Sequence, residues 1–97
     1  MLNKQYYVYI LSNFKRNVLY VGVTSNLIRR VWQHKQDLIK GFTQMYQVHY
    51  LVYYEIFDNP TSAIEREKQI KSWSRRKKDE LILKFNPKLI DLYDKII

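Results

Sequence analysis

Two strand-like segments of this chain carry phenols, Tyr7-Val8-Tyr9 and Tyr20-Val21-Gly22, and the second leads straight into a basic stretch holding Arg30 and His34. A carboxylate, Glu67, follows in a later segment of helical pattern. Each side chain has a use in phosphodiester chemistry. Phenol and imidazole can hold and move protons, a guanidinium can neutralise charge on phosphoryl oxygens, and a carboxylate suits a hard divalent cation.

Three kinds of element must position these groups. Residues 5–12 and 18–24 are rich in Tyr, Val, Ile and Leu, and Asn13-Phe14-Lys15-Arg16 supplies turn chemistry between them, so the pair reads as a β-hairpin. Pairing Ser12 with Asn17 makes a four-residue loop and sets Tyr9 against Tyr20. One face then carries Tyr7, Tyr9, Tyr20 and Gly22; the other carries Val8, Ile10, Leu19, Val21 and Val23 and is core. Gly22 leaves a gap beside the two phenols through which a ligand could approach.

Thr24-Ser25-Asn26 offers capping side chains before Leu27, Ile28, Val31, Trp32, Leu38 and Ile39, which recur at helical spacing up to Gly41. A third strand lies within 47–57. Asn59-Pro60 signals a second helix over Ser62 to Trp73, and Ser74 caps a third that runs to about Phe85 before Asn86-Pro87. A helix after strand two returns the chain, which makes strand three parallel to strand two and gives the order 2-1-3, with strand one central. The expected fold is thus α/β (α+β): a small three-stranded, mainly antiparallel sheet flanked by three helices. Residues 1–97 form a single domain, with a core over about 5–86 and an apolar C-terminal tail, 87–97, that packs back.

Helix geometry singles out Glu67. At about 100° per residue, Ala63, Ile64, Ile70 and Trp73 share a buried stripe that contains Glu67, while Glu65 faces away. A carboxylate in such a stripe needs a Lys or Arg partner or a cation. Arg30 and His34, four apart, share the border of the first helix's apolar stripe; a surface salt bridge and a satisfied structural histidine are the ordinary alternatives. His49, Tyr50, Tyr53 and Tyr54 read as packing residues.

The 97 residues carry 17 Lys and Arg against nine Asp and Glu, a formal charge of +8, and are 46% hydrophobic. Such a surplus attracts polyanions, nucleic acid first. Arg66, Lys68, Lys71, Arg75, Arg76, Lys77 and Lys78 concentrate it on the second and third helices. Having no cysteine, the chain has no disulfide framework or thiolate metal site. The start, Met1-Leu2-Asn3-Lys4-Gln5, lacks a signal-peptide pattern and no apolar run is of membrane-spanning length; a cytoplasmic protein is expected.

Taken in order, Tyr7-Val8-Tyr9, Tyr20-Val21-Gly22, Arg30, His34 and Ala63-Ile64-Glu65-Arg66-Glu67 resemble the GIY-YIG nuclease superfamily, in particular its small stand-alone bacterial branch, which is similar to the amino-terminal nuclease domain of the excinuclease C subunit. Glu67-Lys68-Gln69-Ile70-Lys71-Ser72-Trp73 and Asn86-Pro87 also resemble that branch. Tyr7 replaces the first glycine, Val23 stands where the repair branch often has lysine, and Asn86 is the candidate for the family's late asparagine. The resemblance implies a metal-dependent DNA endonuclease, in DNA repair or processing. Glu67 would hold one Mg²⁺ or Mn²⁺, Arg30 would stabilise phosphoryl charge, Tyr9 or Tyr20 would deprotonate the attacking water, His34 would assist, and Gly22 would admit the substrate backbone. A phenol of pKa about 10 is ionised only to roughly one part in a thousand at neutral pH, so Arg30 and the cation must lower it. The alternative is a non-catalytic nucleic-acid-binding module on the same scaffold; an interaction domain that uses the apolar tail is a third reading. The expected partner is DNA, bound by a monomer away from membranes, with either weak selectivity or a targeting protein to direct it.

Overall fold

A computed structural model describes residues 4–97; the signal-peptide reading of Met1-Leu2-Asn3 falls outside the described residues. The order is β1 (Tyr6–Ser12), β2 (Leu19–Thr24), α1 (Leu27–Lys35), α2 (Phe42–Met45), β3 (Tyr50–Phe57), α3 (Pro60–Ser72), α4 (Arg75–Phe85) and α5 (Tyr93–Ile96). The sheet runs β2-β1-β3, with β1 antiparallel to both neighbours. The outer strands are therefore parallel to each other, as the returning helix demands. Among the described residues no helix is long and apolar enough to cross a membrane.

Strand alternation builds a core on each face. Val8, Ile10, Val21, Val52 and Tyr53 pack with Ala63 and Ile70 of α3 and Ile82 of α4. Tyr9, Leu11 and Leu51 pack with Leu27 and Val31 of α1, with Val48 and with Leu92. A bulge opposite Ile10 and Leu11 lets the consecutive Val52 and Tyr53 both join the first core. There Tyr53 donates to Glu55, which also pairs with Arg66 of α3 (3.2 Å). Burial first, then the bond to Glu55, pushes the Tyr53 phenol up to about 12.

The hairpin register differs from expectation by two residues: Tyr9 opposes Gly22, and Leu11 opposes Tyr20. The cause is Asn13, whose side-chain oxygen accepts from the backbone N–H of Asn17 (3.0 Å) and Val18 (3.1 Å) and so replaces the next rungs of the ladder. Arg16 takes φ 60° in the widened loop, and its guanidinium holds the carbonyls of Asn13 and Leu89. A slip of two keeps every side chain on its expected face.

α1 stops at Lys35, well before Gly41. Asp37, at φ 55°, turns the chain, and its carboxylate meets His49 Nε2 at 2.8 Å; aspartate tolerates this left-handed conformation better than most residues. Leu38 is consequently exposed instead of extending the apolar stripe, and Ile28, Trp32 and Ile64 are also exposed. Among the described residues the single turns α2 and α5 raise the helix count from the expected three to five. α3 starts earlier than expected, at Pro60, where Asn59 accepts from Ser62 N–H (2.8 Å), and ends at Ser72, one residue short of Trp73. Ser74 caps α4 as expected, accepting from Lys77 N–H (3.2 Å). The tail packs back: Leu92 N–H donates to Leu51 O (2.8 Å), and Asp91 accepts from Leu51 N–H (3.1 Å) while pairing with Lys35. These bonds cover part of the open edge of β3, which would otherwise invite strand pairing.

Candidate active site

Tyr9 points from the central strand across its neighbour. A Cβ at Gly22 would lie 2.5 Å from both Cζ and Oη of Tyr9. The gap expected at Gly22 is therefore filled by the phenol, and glycine is what allows Tyr9 to lie there. Tyr9 Oη sits 3.1 Å from His34 Nε2, and His34 Nδ1 sits 3.0 Å from Thr43 Oγ1. All three residues are buried. Tyr20 closes the group, its ring centroid 6.2 Å from that of Tyr9 and 5.5 Å from that of His34.

Burial decides the protonation states. It pushes the Tyr9 phenol well above its ordinary value; the Tyr20 phenol adds to the rise, the Arg30 guanidinium opposes it, and the Glu67 carboxylate adds to it again. Arg30 and Glu67 thus lie close enough for their charges to act on Tyr9. Burial also lowers His34, followed by the charges of Arg30 and His49, to about 4. At neutral pH the imidazole is neutral, with one nitrogen donating and the other accepting. The chain Thr43–His34–Tyr9 therefore runs in one sense at a time: if Tyr9 donates to Nε2, Nδ1–H donates to Thr43.

Glu67 stands on α3, in the layer opposite, and acts on Tyr9 through its charge. Its helix, α3, buries Ala63 and Ile70 in the core on the other face and packs against both β1 and β2. The Glu67 side chain is 14% exposed and meets Lys71 Nζ at 2.8 Å, one turn along. This is the ion pair that a carboxylate in an apolar stripe requires. Among the described residues no three His, Cys, Asp or Glu side chains are grouped as a ready-made metal cage. A cation at Glu67 would depend on water and phosphate oxygens for its remaining ligands, a donor set that suits Mg²⁺, and Lys71 would have to give way.

The basic residues on α3 and α4 divide by partner. Arg66 is held by Glu55 and Gln69 and lies over the Trp73 ring, as does Lys77 at 4.3 Å. Arg75 is consumed by Asp79 (2.9 Å) and by the carbonyls of Asn17 (2.8 Å) and Arg16 (2.5 Å), tying α4 to the hairpin loop. Lys71 faces Glu67. Lys68 is exposed, Lys78 is half-buried, and Arg76, at 91% side-chain exposure, is only 3.9 Å from Glu80. Asn86 stands apart from the tyrosines: its amide donates to Val52 O (3.2 Å) and Ile90 O (2.8 Å) and accepts from Ile90 N–H (3.2 Å), joining α4, β3 and the tail.

Thr43 escapes a reading of the sequence because nothing in Phe42-Thr43-Gln44-Met45 marks it as the partner of a histidine nine residues earlier. The one available signal is that a buried histidine needs both ring nitrogens satisfied.

The chain is similar to several known proteins. A UPF0213 protein of Natronomonas pharaonis is 40% identical over 77 residues, covering 79% of this chain and 89% of that protein. One from Staphylococcus saprophyticus is 35% identical over 78 residues, 80% of this chain and 94% of the relative. A UPF0213 protein from Bacillus halodurans, solved by solution NMR, superposes with a TM-score of 0.52 at 31% identity, over 80% of this chain and 82% of that one. The GIY-YIG catalytic domain matches residues 5–80, a span that holds both tyrosine strands, the Arg30–His34 helix and Glu67 together. On that match the chain belongs to the GIY-YIG catalytic domain family.

Proposed function

We propose that the protein is a divalent-metal-dependent endonuclease that hydrolyses DNA phosphodiester bonds, in DNA repair or processing in the cytoplasm. The observation that carries this reading is the buried Thr43–His34–Tyr9 chain, with Tyr20 against it and the charges of Arg30 and Glu67 within reach. A phenol held above its ordinary pKa is a poor free phenolate. It is a good relay: as the attacking water gives a proton to Tyr9 Oη, Tyr9 passes its own to His34 Nε2. Tyr20 orients the water, and the bond from phosphorus to the departing 3′ oxygen breaks as the new P–O bond forms. The 3′ oxygen leaves as an alkoxide that takes a proton from solvent, and His34 returns its proton to solvent by way of Tyr9.

Placing a proton on an imidazole of pKa about 4 at pH 7 costs about 4 kcal/mol. A bound phosphodiester offsets part of this, because its negative charge beside Arg30 cancels one of the influences that hold His34 down. Glu67, released from Lys71, would hold the Mg²⁺ or Mn²⁺, which would supply polarisation of the phosphate and stabilise charge on the leaving oxygen. Of the seven cations sorted above, Lys68, Arg76 and Lys78 are the best placed to meet DNA phosphates, with Arg66, Lys71, Arg75 and Lys77 engaged by protein partners.

Incubation with supercoiled, branched and single-stranded DNA, with and without Mg²⁺ or Mn²⁺, tests the reading. Cleavage that needs the metal and collapses in a folded Glu67→Ala variant that still binds DNA supports it. A wild type that cuts no form with either cation, or a Glu67→Ala variant that cuts equally well, leaves the non-catalytic binding module as the better account.

A further inference from the structure

Two half-exposed aromatic rings extend outward from Tyr20 at the edge of the tyrosine cluster. Phe42 lies 6.2 Å from Tyr20, centroid to centroid, and Tyr46 lies 4.8 Å from Phe42, so a ladder of rings leads out from the tyrosine cluster. Phe42 and Tyr46 are each 47% exposed. They sit on or beside α2, which is anchored from within: buried Thr43 holds His34 through its hydroxyl and accepts from Val48 N–H through its carbonyl (2.9 Å). The rings are thus fixed relative to the site.

Local charge favours one kind of occupant. Asp37 is the only acid among residues 1–54, and it is paired with His49. Arg29 and Arg30 are exposed and, with Thr24, Ser25, Asn26 and Gln33, line a polar pocket at the start of α1. Arg30, one turn of α1 before His34, and the flat faces of Phe42 and Tyr46, which continue from Tyr20 beside His34, suit a phosphate joined to a base. In a duplex each base face is covered by its neighbours, so only an unpaired or extruded base can lie on such a ring.

We propose that Phe42 and Tyr46 form a stacking platform for an unpaired nucleobase beside the scissile phosphate, so that the protein prefers single-stranded or locally unpaired nucleic acid to closed duplex. The proposal rests on the phosphodiester reading of the site, but its test does not require cleavage. The whole chain in EDTA is titrated into a labelled oligothymidylate, an abasic strand of equal length and a blunt duplex, and binding is followed by fluorescence anisotropy at matched salt. The oligothymidylate should bind tightest. Phe42→Leu and Tyr46→Leu keep apolar bulk but remove the ring; each should weaken oligothymidylate binding at least about fivefold, the lower end expected for loss of one base–aromatic stack, and leave abasic and duplex binding within about twofold. Equal affinity of the wild type for the oligothymidylate and the abasic strand overturns the proposal. So do variants that weaken all three ligands alike, or none. Tyr46→Leu carries the test alone should Phe42→Leu fail to melt cooperatively. A wild type that shows the preference yet never cuts with Mg²⁺ or Mn²⁺ overturns the nuclease reading and leaves the platform standing.

Discussion

At the scale of single residues, the site is governed by burial more than by charge. Tyr9 and His34 are displaced in opposite senses, and both displacements favour the neutral form. His34 makes this measurable. In the unfolded chain its imidazole takes a proton near pH 6.5, but in the folded protein only near about 4. As pH falls through that window the unfolded state binds a proton that the folded state does not, so stability falls, by about 3 kcal/mol in all, and this contribution is fully lost below about pH 4. Tyr9 works at the other end, where stability declines as pH rises above the ordinary phenol value of about 10. An NMR titration of the His34 ring should give a midpoint near 4, and unfolding midpoints in denaturant should drop between pH 6.5 and 4 less steeply in His34→Gln than in the wild type. A midpoint near 6.5 would show that the ring is not held neutral by burial. Glu67 was legible at this scale because a carboxylate in an apolar stripe needs a partner, and Lys71 is that partner. Thr43 was not, since its role exists only after the chain has turned at Asp37.

The elements show why faces were readable and register was not. Alternation of period two tells which side chains share a face, and it is blind to a slip of two. That slip, imposed by the Asn13 side chain, moves Gly22 opposite Tyr9 and changes its meaning from a gap for substrate to a seat for a phenol. Gly41 misled in the same way: glycine is a common helix terminator, but here Asp37 ends α1 earlier, and Gly41, at φ 113°, leads into α2 instead. Gly22→Ala tests the seat. The new methyl would meet Tyr9 at 2.5 Å, and Tyr9 cannot swing away freely because it is buried and bonded to His34. Overpacking of this kind costs about 1–3 kcal/mol. Chemical denaturation should register that loss, and the His34 titration midpoint should rise as the Tyr9 contact opens the ring to water. Unchanged stability together with an unchanged midpoint would mean that the two strands part easily at this point.

Across the whole molecule, the charge of +8 is less concentrated in free cations than the count of basic residues on α3 and α4 suggests, because several of them hold the protein together. The salt dependence of DNA binding separates the two populations. Each phosphate neutralised on duplex DNA contributes about −0.9 to the slope of log affinity against log salt. Arg76 is almost fully exposed and Lys68 is exposed, so Lys68→Glu and Arg76→Glu should each make the slope shallower by about 0.9 or more while leaving thermal stability nearly unchanged. Arg75 should behave in the opposite way. Its guanidinium is spent on Asp79 and on the carbonyls of Arg16 and Asn17, so Arg75→Ala frees the hairpin loop from α4, lowers the melting temperature and changes the slope little. Affinities measured by anisotropy from low to moderate salt in EDTA, beside melting curves for the same three variants, decide the matter. If Arg75→Ala flattens the slope as much as Arg76→Glu does, the tether to the loop opens in solution and the cationic surface is wider than the folded contacts imply.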